Sequence, residues 1–150
     1  MKALLDTNVL IDYYAQRGEF FTHALKLRAA AEFGDVELWA CAHSFADIEY
    51  ILGREAGIGA LRAALSESFS FIGLCGYEPS DVREAVASDW PDMEDFLIAR
   101  AAWRIGADVL VTRDVKGFSS SRVPAVSPAA FLQRLSDELE REYEGLDLLE

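Results

Sequence analysis

Cysteine is scarce, with two residues in 150, and Cys41 and Cys75 form no Cys-x-x-Cys pair. That excludes a disulfide framework and leaves a reducing cytoplasm as the expected compartment. The two histidines, His23 and His43, share no spacing that suits zinc. Basic charge is in deficit: 14 Lys+Arg stand against 26 Asp+Glu, a net charge of −12. Affinity for nucleic acid therefore cannot come from the field of the whole molecule. Half of that excess is local, because residues 137–150 hold seven acids and one base. No run reaches the roughly 18 apolar residues a membrane span needs, and the chain opens without a basic n-region and long apolar h-region. No membrane role is expected. A Gly-rich loop after the first strand and a Gly-x-Ser-x-Gly elbow are both missing, which removes nucleotide-cradling and serine-hydrolase readings. What is present is a 51% apolar, 11% aromatic composition, enough for one compact domain with a core.

Short β-rich runs recur at Ala3–Leu5, Glu37–Cys41, Phe69–Leu74, Val109–Thr112 and Val123–Val126. Between them lie stretches with helical periodicity: Phe20–Phe33, His43–Glu55, Ile58–Glu67, Ser80–Ser88, Met93–Ile105 and Pro128–Tyr143. Strands separated by crossover helices predict a three-layer α/β/α domain with a parallel sheet of four or five strands. Ser80 and Ser127 read as N-caps, and Gly57, Gly59 and Gly106 as helix stops. The segment Gly117–Arg122 reads as an exposed loop, and the acids after Gln133 as a solvated helix that frays toward Glu150. Residues 1–130 are expected to form the main domain and 131–150 an acidic helical extension.

This topology gathers acids at one edge. Asp6 and Asp114 follow two predicted central strands, and the carboxyl edge of a parallel sheet is where such folds bind ligands. The helix starting near Met93 begins at the same edge and brings Asp92, Glu94 and Asp95. In the helix after Cys41, Phe45, Ile48 and Leu52 define the buried stripe; Glu49 falls within its arc, and Asp47 projects toward solvent. Crowded carboxylates repel one another and are tolerated when a divalent cation neutralises them, and oxygen ligands suit Mg²⁺ or Mn²⁺. Such a centre hydrolyses phosphodiesters with activated water and no covalent intermediate. Each acid also has a plainer reading. Asp6 could be a turn residue, Asp92 the cap of its helix, Glu49 a core-edge acid that snorkels, and Asp114 a turn starter. Trp90 and Phe118 could stack on bases, although burial is the commoner fate of such rings. Arg113, Lys116 and Arg122 form a small basic cluster that could hold RNA phosphates or be a solvated loop.

The run Leu4-Leu5-Asp6-Thr7-Asn8-Val9-Leu10-Ile11-Asp12, the Ser44…Glu49 pair, Asp95-Phe96-Leu97-Ile98-Ala99 and Thr112-Arg113-Asp114-Val115-Lys116-Gly117-Phe118 together resemble the PIN-domain family. The likeness is greatest to small prokaryotic members, including VapC-type toxins, and covers about residues 1–130. It implies a metal-dependent ribonuclease with Asp6, Glu49, Asp95 and Asp114 as the acidic quartet. Asp6, Asp95 and Asp114 would hold Mg²⁺ or Mn²⁺, and Asn8, Ser44 and Thr112 would support them. Arg113 or Lys116 would contact RNA phosphate. In toxin members the resemblance also implies a cognate antitoxin over the acidic groove and a homodimer. Two rivals differ in class. A phosphatase of the haloacid-dehalogenase type needs a general acid where Asn8 stands, and a PIN-like module that binds RNA or protein without cutting would show a broken quartet.

Overall fold

The computed structural model describes residues 1–143. Five β-rich runs pair into one sheet: β1 (Lys2–Leu5), β2 (Glu37–Cys41), β3 (Ile72–Cys75), β4 (Val109–Val111) and β5 (Ala125–Val126). Their order is β3-β2-β1-β4-β5, and every pairing is parallel. Seven α-helices are described around it: α1 (Thr7–Tyr14), α2 (Gly18–Glu32), α3 (Ala42–Ala56), α4 (Ile58–Ser68), α5 (Pro79–Ala87), α6 (Met93–Arg104) and α7 (Pro128–Leu139).

Strand alternation builds the layers. Ala3, Leu5, Val109 and Val111 face one core with Leu27 of α2, Ile48 of α3 and Phe131 of α7. Leu4 and Leu110 face the other, where Ile98, Ala101 and Ala102 of α6 meet Phe118 and Val123. Each fully buried leucine contributes about 1.5–3 kcal/mol through removal from water, so these few central residues fix the register.

Several local expectations are revised. Residues 7–14 form α1, a helix the periodicity did not reveal. Phe69–Phe71 belongs to the turn after α4, and β3 starts at Ile72. Glu78, not Ser80, caps α5, with Pro79 at its first position; Ser127 does cap α7. Gly57 ends α3 and Gly106 follows α6, both at positive φ, but Gly59 lies in the first turn of α4. The 3₁₀ turn Val115–Phe118 runs into the first two residues of the supposed loop and buries Phe118. The expected boundary at residue 130 falls inside α7, whose Phe131, Leu132 and Leu135 lie in the main core. That helix ends at Leu139 rather than Tyr143, and the tail reading for 144–150 lies outside the described residues.

Candidate metal centre

From β1 the chain moves outward to β2 and β3, then returns to place β4 on the other side of β1. That reversal leaves a crevice at the carboxyl ends of β1 and β4. Asp6 stands in its floor, 6% exposed, with its backbone N–H donating to the Val111 carbonyl at 2.9 Å. Its Oδ1 accepts the Thr7 N–H at 2.7 Å and so caps α1, and its Oδ2 accepts the Thr112 hydroxyl at 2.7 Å. Burial raises the Asp6 pKa; the Thr112 and Thr7 hydrogen bonds oppose this, and Glu94 and Asp114 add to it.

Thr112 serves two acids, because the hydroxyl that donates to Asp6 also accepts the backbone N–H of Asp114 at 2.9 Å. Asn8 joins from α1, its Nδ2 reaching that hydroxyl at 3.5 Å and its Oδ1 accepting the Arg113 N–H at 3.4 Å. Asp114 caps the 3₁₀ turn through the Gly117 N–H, at 3.1 Å from Oδ1. Gly117 has no side chain for a spatial reason. A Cβ there would lie 2.5 Å from Asp114 Oδ2 and 3.0 Å from Asp95 Oδ2, so both carboxylates border the space above this residue. Asp95 sits in the first turn of α6, where Asp92 accepts its N–H at 3.2 Å as the cap. Burial, then the charges of Asp92, Asp6, Asp114 and Glu94, push the Asp95 carboxyl up to about 7.

A second shell of polar groups closes the crevice. Thr7 donates to Glu94 Oε1 at 3.0 Å, so the 2.7 Å contact between Thr7 and Ser44 has Ser44 as donor. His43 shares a 3.1 Å hydrogen bond with the Cys41 sulfur, and its Nε2 lies 3.5 Å from Glu94 and 3.9 Å from Asp47. The Cys41 bond and Glu94 push the imidazole up to about 10, so it carries a proton at neutral pH. The Nε2 is buried without a well-aligned hydrogen-bond acceptor. Donor atoms of His43, Asp47 and Glu94 all lie within 4.8 Å of one another, a geometry that could hold a metal ion once that proton leaves.

Three expectations meet a different environment. Glu49 is not brought to the other acids: Arg62 holds its carboxylate in a two-point ion pair at 2.6 and 2.8 Å, and the charge acting on it comes from Arg62. The acid of α3 beside the crevice is Asp47, which Glu94 and His43 both influence. Arg113 does not point a free guanidinium at the site; it clamps buried Asp12 at 2.6 Å and stacks over Phe20. Lys116 is exposed and makes no ion pair among the described residues. Asp47, expected to face solvent, and His43, expected to have no spacing that suits zinc, both stand beside Glu94. Their i, i+4 spacing on the first turns of α3 was the available signal.

The donor set fits a hard divalent cation. Asp6, Asp95 and Asp114 are carboxylates without a cationic partner among the described residues, whereas Asp12, Asp35, Glu49 and Asp81 each hold an arginine; their oxygens do not all lie within 4.8 Å of one another, as the donor atoms of His43, Asp47 and Glu94 do, so a cation would draw the three together.

Residues 2–116 match the model of the PIN domain, so the chain belongs to the PIN-domain family, whose members are typically nucleases that use divalent metals. No curated protein matches it in sequence. Among solved structures it is similar to PAE2754 from Pyrobaculum aerophilum, at 20% identity and a TM-score of 0.66 over 91% of this chain and 96% of that one. It is also similar to VapBC2 from Rickettsia felis bound to a DNA fragment from their promoter, at 17% identity and a TM-score of 0.61 over 85% and 98%. These likenesses define the α/β/α fold. No helix among the described residues is long and apolar enough to cross a membrane.

Proposed function

We propose that the chain is a Mg²⁺- or Mn²⁺-dependent ribonuclease that hydrolyses RNA phosphodiester bonds in the cytoplasm, as the toxin of a toxin–antitoxin pair. The observation that carries this reading is that Asp6, Asp95 and Asp114 lie around the β1/β4 crevice close enough for the charges of Asp6 and Asp114 to act on Asp95, with Asp95 and Asp114 oxygens both bordering Gly117. The cation, when bound, neutralises these carboxylates, polarises a phosphoryl oxygen and activates water. Asp6, Asp95 and Asp114 would hold it. Glu94, fixed by Thr7 and His43, would orient the attacking water with Asp47 beside it, in the place within the quartet that the resemblance gave to Glu49. Exposed Lys116 would contact the substrate phosphate.

The toxin role draws on the resemblance to VapC-type toxins and on the fold shared with VapBC2. An antitoxin segment over the crevice and a second copy of the chain are the partners this reading expects. The phosphatase rival is disfavoured because Asn8 is committed to Thr112 and the Arg113 N–H and offers no acid.

The test is cleavage of end-labelled single-stranded RNA with Mg²⁺, with Mn²⁺ and with a chelator, alongside a phosphomonoester. Cation-dependent cutting that Asp95→Asn abolishes, with no phosphomonoester turnover and no phosphoenzyme, supports the proposal. RNA binding without cutting in either cation points to the non-cleaving module. Induced expression that arrests growth, with Asp6→Asn harmless, supports the toxin role.

A further inference from the structure

Beside the acid centre lies a cavity of about 140 Å³ between α6 and the segment Ser120–Arg122. Phe96, Arg100 and Trp103 line it at spacings of four and three residues, which places them on one stripe of α6. That stripe begins one residue after Asp95 and runs along α6 away from the crevice, so that Trp103 stands about 12 Å further along the helix axis than Asp95. The inner end of the cavity is rigid: Trp90 packs edge-on against Phe96 with ring centres 5.6 Å apart and against Phe118 at 6.5 Å. Its outer end is Trp103, a large ring left 46% exposed with the Arg100 guanidinium 5.7 Å and the Arg122 guanidinium 5.3 Å from its centre.

The two arginines differ in charge balance. Arg100 is neutralised by Asp81 at 3.2 Å and Glu84 at 2.6 Å. Arg122 has no carboxylate partner among the described residues, and neither does Lys116. In a chain of net charge −12, two uncompensated cations follow Asp114 on the one segment that runs from the crevice to the cavity. A polyanion leaving the acid centre passes Lys116 and then Arg122, and meets an exposed indole held in place by guanidinium stacking. Phosphate contact plus a fixed aromatic platform is the chemistry by which proteins hold single-stranded nucleic acid.

We propose that this cavity is a nucleotide subsite, in which Trp103 stacks on one base of single-stranded RNA and Arg122 contacts its phosphate, about 12 Å along α6 from the acid centre and so not at the nucleotide that is cut. The inference rests on the ribonuclease reading. A structural clasp, with Arg122 merely pinning its own segment to α6, is the alternative the test separates.

The probe is a short fluorescein-labelled single-stranded RNA, bound in Mg²⁺ by the Asp6→Asn chain so that cutting does not interfere, with affinity read by anisotropy across a salt series. In that background Trp103→Ala is expected to weaken binding about tenfold, within the range for loss of one stacked base. Trp103→Phe keeps a ring and retains most of the affinity. Arg122→Gln lowers the slope of log K against log salt by about 0.7, the share of one phosphate contact to a single strand. Melting temperatures identify any variant that fails to fold, and Trp103→Phe with Arg122→Gln carry the test if Trp103→Ala does. RNA binding by the parent with unchanged affinity and salt slope in the Trp103 and Arg122 variants overturns the subsite while leaving the nuclease reading intact. Failure of the parent to bind and of the wild type to cut RNA overturns both.

Discussion

Thr112 donates its hydroxyl to Asp6 Oδ2 at 2.7 Å while accepting the N–H of Asp114, so one buried hydroxyl sets the spacing of two acids that follow neighbouring strands. Thr112→Val keeps the shape and removes both bonds. Partners of this kind typically account for about 10–100-fold in metal affinity or activity. Cleavage is expected to fall by that factor, with a stability loss of about 1–3 kcal/mol from unsatisfied polar groups. Unchanged kinetics in a folded Thr112→Val chain would show that Asp6 and Asp114 position themselves.

Gly117→Ala tests the arrangement from the other side. The added methyl would lie 2.5 Å from Asp114 Oδ2 and 3.0 Å from Asp95 Oδ2, so one or both carboxylates must move. A displacement near 1 Å at reacting groups costs about 100-fold in rate. Mn²⁺ binding followed by calorimetry should weaken in parallel. An alanine variant with wild-type metal affinity contradicts the shared site.

The pH dependence of the metal-free protein follows from Asp95. Its folded-state pKa is raised to about 7, well above the ordinary carboxylate range, so the folded chain keeps a proton that the unfolded chain has lost. Stability from this group is therefore complete below about pH 4, declines as pH rises toward 7 and stays low above it. Asp95→Asn should flatten that decline and melt higher than wild type at pH 8 in chelator. Wild-type melting that is level from pH 4 to 8, or a decline that is just as steep in Asp95→Asn, counts against crowded, unneutralised carboxylates.

Arg113 and Glu49 are expected to matter for stability rather than for chemistry. Removing Arg113 leaves Asp12, whose side chain is 2% exposed, with Arg17 alone at 4.0 Å, and costs about 1–3 kcal/mol, below the full penalty for a buried pair because Arg113 is partly exposed. Chemical denaturation of Arg113→Ala measures this; a raised KM with unchanged stability would return Arg113 to the substrate. Glu49→Gln should cut RNA at close to the wild-type rate, and Asp47→Asn should not. Loss of cleavage in a folded Glu49→Gln chain would reinstate Glu49.

These contrasts show where sequence reading runs out. Asp6 and Asp114 were legible because apolar strands end abruptly in an acid, and parallel strands put such ends on one edge. Asp95 was legible because a helix feeding straight into β4 must start at that edge. The helix α1 was not, since Val9-Leu10-Ile11 is buried on all sides and reads as a continuous apolar run. The placements of Glu49 and Asp47 differ from the expected ones for a related reason. Angular spacing reports nearness to the buried stripe of α3, but not which border of that stripe faces the crevice and which faces α4 and Arg62. Arg113 met its partner 101 positions away, a pairing that no local pattern encodes.

The most direct test of the central claim is a Mn²⁺ titration followed by thermal unfolding, on wild type and Asp6→Asn, with RNA cleavage assayed in the same buffers. A cation bound by the folded state alone adds about 2.7 kcal/mol of stability at a hundred times its Kd. The account predicts that the wild type gains melting temperature with Mn²⁺ and cuts RNA, and that Asp6→Asn folds but does neither. A wild type that Mn²⁺ does not stabilise and that leaves RNA intact, or an Asp6→Asn chain as active as its parent, contradicts it.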